Sequence, residues 1–68
     1  MRDMDTIKLN GLDRPLRATL DVFLADNGYT QGRIAVLVNG EIVGKESWSA
    51  CPLAAGDEVD VVGFVGGG

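Results

Sequence analysis

Histidine is absent from the 68 residues, and cysteine occurs once, at Cys51. Without histidine the chain lacks the commonest general base near neutral pH and the commonest metal ligand. A single cysteine cannot close an internal disulfide, so packing alone must hold the fold, as suits a reducing compartment. It also excludes a four-cysteine iron–sulfur cluster. Cations are scarce: 6 Lys and Arg stand against 10 Asp and Glu, for a net charge of -4 and a pI near 4.4. Phosphate-binding surfaces need clustered Lys and Arg, and no such cluster occurs, so nucleic acid is not an expected partner. The acidity serves solubility and suits a basic partner surface. No apolar run approaches the roughly 20 residues that span a bilayer. Met1-Arg2-Asp3-Met4-Asp5 is charged and unlike a secretory leader, which leads to the expectation of a cytoplasmic protein without membrane association.

What is present reads as one small folded domain. The hydrophobic share is 46% with a mean hydropathy of +0.12, which favours a globular chain over disorder. Thr6-Ile7-Lys8-Leu9 alternates with period two and ends in Asn10-Gly11, a pair suited to a tight hairpin turn. A second short strand is expected around Arg14 to Arg17, with Pro15 confining it to an edge. Thr19 is a candidate N-cap for a helix of about two turns, with Asp21 in its first turn and Leu20, Phe23 and Leu24 on one face. Asn27-Gly28 ends that helix.

Ile34-Ala35-Val36-Leu37-Val38 is continuously apolar and is expected to be buried on both faces. Asn39-Gly40 turns the chain into Glu41-Ile42-Val43. Gly44 to Pro52 reads as irregular, with Trp48 anchoring it to the sheet. After the Ala55-Gly56-Asp57 turn, Glu58-Val59-Asp60-Val61-Val62 alternates as a half-buried strand should. The order ββαββ plus a final strand predicts a two-layer α+β domain, a mixed sheet of four to five strands with one helix across one face. The first and last strands are expected to pair at its centre. Residues 1–5 form an N-terminal extension, 6–63 the domain and 64–68 a flexible tail.

The inventory of reactive groups within the domain is poor. Cys51 has no histidine partner and stands beside Pro52 in an expected loop, where a half-buried structural thiol is the simpler reading. Asp57 and Glu58 are adjacent in sequence, but neighbouring strand residues point to opposite faces and cannot act as an acid–base pair. No glycine-rich phosphate loop leads into a lysine and a helix. The chain is therefore not expected to be an enzyme by itself, nor to hold a metal or cofactor of its own.

Gly66-Gly67-Gly68 stands apart. Glycine lacks a Cβ, so such an arm can enter a channel too narrow for side chains and present its carboxylate to another protein's active site. Three stretches together resemble the ThiS family of sulfur carriers: the strand, Asn39-Gly40-Glu41 and return strand from Ile34 to Val43; Trp48, Leu53 and Gly56-Asp57-Glu58-Val59-Asp60-Val61; and the ending Phe64-Val65-Gly66-Gly67-Gly68. The likeness extends from Thr6 nearly to the end. It implies a β-grasp (ubiquitin-like) fold and a protein co-substrate of thiamine biosynthesis.

In that family a ThiF-type, E1-like adenylyltransferase uses Mg-ATP to adenylate the terminal carboxylate. Sulfur from a cysteine-desulfurase persulfide converts it to a thiocarboxylate, and a ThiG-type thiazole synthase takes the sulfur into the thiazole of thiamine. Carried over, Gly68 is the adenylated and thiocarboxylated residue, Gly66 and Gly67 thread the channel, and Phe64 and Val65 dock beside it. The free carrier is expected to be a monomer. A carrier serving molybdopterin or another sulfur metabolite is the nearest alternative, and a β-grasp interaction module with a dispensable tail is the alternative of another class.

Overall fold

The computed structural model describes residues 5–29 and 34–63 of the chain. Strands β1 (Thr6–Leu9) and β2 (Leu12–Pro15) form a hairpin, helix α1 (Leu20–Asp26) follows, and strands β3 (Ile34–Val38) and β4 (Glu41–Val43) form a second hairpin. A 3-10 helix (Lys45–Ala50) then leads to the last strand, β5 (Glu58–Gly63). The five strands make one mixed sheet in the order β2-β1-β5-β3-β4. β5 lies in the middle, parallel to β1 and antiparallel to β3. This is the β-grasp arrangement, with the first and last strands paired as the sequence pattern predicts.

Both hairpins turn on Asn-Gly. Asn10 and Gly11 have φ of 50° and 86°, and Asn39 and Gly40 have 52° and 86°. Two successive left-handed residues make the type I′ turn, whose twist matches that of the flanking strands. Such a turn pairs the strands at once, so Leu12 lies opposite Leu9. The second strand accordingly spans Leu12–Pro15 and not Arg14 to Arg17. Pro15 closes this edge strand opposite Thr6, where its missing N–H costs no internal ladder bond.

α1 is short because few residues favour it and Asn27-Gly28 stops it. The Asn27 side-chain amide donates to the Phe23 carbonyl at 2.8 Å, and Gly28 takes φ of 90°. Thr19 occupies the N-cap position, but its side chain makes no bond to the helix backbone. Its hydroxyl donates instead to the Asp21 carboxylate. Tertiary packing must therefore stabilise this seven-residue helix.

The core lies between one sheet face and the layer of α1 and the 3-10 helix. Ile7 and Leu9 from β1, Val36 from β3 and Val59 from β5 meet Leu20, Phe23, Leu24 and Trp48 there. Trp48 is 8% exposed, and its indole N–H donates to the Val43 carbonyl at 3.0 Å. The segment carrying it is ordered into a 3-10 helix where the sequence predicts irregular chain. Two turns of this kind, repeating every three residues, leave little hydrophobic periodicity to read.

Trp48 supplies much of the apolar area in so small a domain. Replacing it with alanine should cost roughly 3–5 kcal/mol. Thermal unfolding followed by circular dichroism should show Trp48→Ala melting more than roughly 10 °C below the parent. A difference of a degree or two would make the residue peripheral.

Candidate functional site

The residues on which the sequence places the chemistry, Phe64, Val65, Gly66, Gly67 and Gly68, lie outside the described residues. The structure describes the strand that leads to them and the surface around that strand. β5 is anchored first at its root. The Asp57 carboxylate accepts from the Ala54 N–H at 2.9 Å, closing the turn in which Gly56 takes φ of 90°. Gly56 N–H in turn donates to the Thr6 carbonyl at 2.9 Å, and Lys8 N–H to the Asp57 carbonyl at 3.0 Å.

Both turn asparagines then reach β5. Asn39 N–H donates to the Glu58 carbonyl at 2.7 Å, and Asn39 Oδ1 accepts from the Glu58 N–H at 3.0 Å. Its Nδ2 donates to the Asp57 carboxylate at 3.2 Å. On the opposite flank, Asn10 N–H donates to the Val59 carbonyl at 2.9 Å, and Asn10 Oδ1 accepts from the Val61 N–H at 2.8 Å. Each Asn-Gly pair thus makes a hairpin and also clamps the strand that carries the tail. The sequence reveals the turn but not the clamp, which spans distances of 19 and 51 residues. The one available signal is the choice of asparagine, since a carboxamide brings both a donor and an acceptor.

The second feature is the sheet face turned away from the helix. Alternation places Glu58, Asp60 and Val62 of β5 on it. Register adds Ala35 opposite Val62, Leu37 opposite Asp60, and Ile42 opposite Leu37. Facing residues of antiparallel neighbours share a face, so Ala35, Leu37, Ile42 and Val62 form one apolar cluster beside the carboxylates of Glu58 and Asp60. Ile42 is 74% and Val62 50% exposed. Val36 is the one fully buried residue of β3, while Ala35 and Leu37 remain half-buried, so this strand is not buried on both faces as its composition predicts. Its outward side chains are apolar, and among the described residues no layer lies above them.

Farther along this face the Lys8 ammonium meets the Asp13 carboxylate at 2.8 Å. The hydrogen bond and charge of Asp13 hold Lys8 above its ordinary pKa, with a smaller contribution from Glu58. Both side chains are open to solvent, so the pair adds little stability.

Reactive groups are sparse. Cys51 is half-buried against the core, its carbonyl accepting the Leu20 N–H at 2.9 Å, and the chain has no histidine to pair with its thiol. Among the described residues no group of three or more His, Cys, Asp or Glu side chains is placed to hold a metal ion. The arrangement can present a strand end and an apolar surface to another protein.

Three likenesses bear on that other protein. The sequence matches the ThiS family over residues 7–68. It is 36% identical over 62 residues to a thiazole synthase of Paramagnetospirillum magneticum, a match covering 88% of this chain and 19% of that protein. The chain therefore spans about a fifth of the length of that curated relative. The crystal structure of the thiamine biosynthesis protein (ThiS) from Geobacter metallireducens is similar with a TM-score of 0.77 and 25% identity, over 93% of this chain and 99% of that one.

The clamp at the root of β5 is open to test in the free protein. Asn39→Ala removes two side-chain hydrogen bonds and puts a Cβ without a stabilising amide at φ of 52°. The expected loss is roughly 2 kcal/mol, from the left-handed conformation and the bonds together. Urea unfolding should show it as a lower midpoint at unchanged slope. Asn39→Gly should recover the conformational part alone.

Proposed function

The chain belongs to the ThiS family, and on that premise we propose that its sulfur-carrier role is exercised through the carboxylate of Gly68. A ThiF-type adenylyltransferase binds Mg-ATP and joins the carboxylate to AMP, releasing pyrophosphate. A carboxylate is a poor acyl donor, and the phosphoanhydride supplies the leaving group it lacks. A persulfide sulfur derived from a cysteine desulfurase attacks the acyl carbon and AMP departs, leaving an acyl disulfide. A thiol then attacks the outer sulfur, which forms a disulfide with it and leaves the thiocarboxylate on Gly68. Thiazole synthase accepts that sulfur for the thiazole of thiamine. The partners supply the catalytic groups, and the carrier supplies recognition and position.

The observation that carries this reading is the family match extending through Gly68. The thiazole synthase whose sequence includes a stretch like this chain supports that enzyme as the acceptor. Gly66 and Gly67 thread the channel, Phe64 and Val65 dock at its mouth, and the apolar cluster that includes Ile42 and Val62 offers a further contact surface. Such a cluster is the kind of surface a partner covers. The carrier is taken to act as a cytoplasmic monomer between encounters. No described helix is long and apolar enough to cross a membrane.

Intact and peptide mass spectrometry tests the chemistry. With adenylyltransferase, Mg-ATP, a persulfide donor and a thiol, the C-terminal peptide should gain the mass of one sulfur-for-oxygen replacement at Gly68. Gly67→Ala should keep the parental melting temperature and lose ATP–pyrophosphate exchange by roughly 100-fold, since misplacement by about 1 Å suffices for a loss of that order. Cys51→Ser should transfer sulfur undiminished. Sulfur found on Cys51 in place of Gly68 would sink the reading.

Ile42→Asp addresses the surface. The side chain is exposed, so stability should change by no more than about 0.5 kcal/mol. Titration calorimetry against the adenylyltransferase should show affinity at least about tenfold weaker, as expected when a charge meets an apolar contact.

A further inference from the structure

All three asparagines of the chain, Asn10, Asn27 and Asn39, are followed by glycine. Asparagine before glycine is a chemically labile pair. The glycine nitrogen, unhindered by a side chain of its own, can attack the asparagine Cγ and close a succinimide ring. Closure needs the carboxamide to swing over the following peptide nitrogen, so whatever holds the carboxamide protects it. These sites differ in how they are held.

Asn27 is held most completely. Its Nδ2 donates to the Phe23 carbonyl at 2.8 Å, and its Oδ1 accepts from Arg14 Nε at 2.8 Å. The nitrogen that would attack is also engaged, the Gly28 N–H donating to the Ala25 carbonyl at 3.1 Å. Asn39 is held at both ends of its carboxamide, Oδ1 by the Glu58 N–H at 3.0 Å and Nδ2 by the Asp57 carboxylate at 3.2 Å. Asn10 is held at Oδ1 by the Val61 N–H at 2.8 Å, and among the described residues its Nδ2 has no hydrogen-bond partner. Backbone does not separate the two hairpin turns. Asn10 and Gly11 have φ of 50° and 86°, Asn39 and Gly40 of 52° and 86°, and all of them are exposed to water.

We propose that Asn10 is a site of spontaneous modification by water. The Gly11 nitrogen bonds to Cγ and gives up its proton, the Cγ–Nδ2 bond breaks, and Nδ2 leaves as ammonia with that proton. Water then opens the succinimide at either carbonyl, and no oxidant or reductant is needed. Opening at the Cγ carbonyl leaves aspartate, whose carboxylate can still accept from the Val61 N–H. Opening at the main-chain carbonyl leaves isoaspartate, in which the chain runs through Cβ and Cγ. That product adds a backbone carbon to a turn whose length sets the β1–β2 register. Its Cγ oxygen becomes a peptide carbonyl and is lost as a side-chain acceptor for Val61. The chemistry needs no partner protein and is independent of the carrier reading.

The test is incubation of the full chain at mildly alkaline pH in heavy-oxygen water, followed by peptide mass spectrometry. Each converted asparagine exchanges an NH for one heavy oxygen, which identifies the site. In the folded chain residue 10 should convert at least about fivefold faster than residue 39, the factor that roughly one side-chain hydrogen bond contributes. Residue 27 should be the slowest. In guanidinium chloride, where no carboxamide is held, the rates should come within about twofold of one another. Asn39 or Asn27 converting as fast as Asn10 in the folded chain would overturn the assignment. A lead for Asn10 that persists undiminished in guanidinium would also overturn it, because the cause would then lie in the flanking residues. So would an intact Asn10 after a period that converts the unfolded chain, since the fold would then protect this turn as well.

Discussion

The fold depends on a short parallel contact between its two ends, Lys8 and Leu9 of β1 against Glu58 and Val59 of β5. Without it the sheet falls into the β1–β2 hairpin and a three-stranded β5-β3-β4 piece, each too small to hide its own apolar side. With it, Ile7, Leu9, Val59 and Val36 become neighbours on one surface, and α1 and Trp48 have something to cover. A parallel pair of this length has few ladder bonds of its own, and the Asn10 side chain supplements them, while Asn39 does the same on the β3 flank. Chain reversal and strand anchoring are therefore handled by the same two dipeptides.

Much of this was legible in the residues, for identifiable reasons. Asn10-Gly11 and Asn39-Gly40 signal turns through a local conformational need that no distant contact alters. Leu20, Phe23 and Leu24 mark the buried face of α1 because helical spacing leaves few other options. Trp48 stood out as a core residue on size alone. The 3-10 helix around it did not, since its order comes from packing and from the bond to Val43 rather than from a repeat.

The misreading of β3 is the more informative failure. Continuous Val, Leu, Ile and Ala normally mean cover on both sides, and here one side has none among the described residues. Sequence patterns and single-chain structure tend to disagree where function asks for something the fold does not need. The exposed Ile42 and Val62 and the half-buried Leu37 lie together on that face, away from α1. The tail itself was conspicuous by composition, while the asparagine side chains that hold β5 were not, because their contacts exist only once residues far apart in sequence have met.

Placing the final strand at the centre of the sheet also governs how the protein comes into being. β5 joins partners that lie on either side of it, so the β1–β2 and β3–β4 hairpins can form early yet cannot share a core until it arrives. Bringing residues 8 and 58 together closes a loop of about 50 residues, an entropic cost on the order of 3.5 kcal/mol that no local contact repays in advance. During synthesis the domain therefore stays open until its last strand has cleared the ribosome. A chain interrupted before that point yields two separate ribbons with exposed edges and no smaller version of the fold.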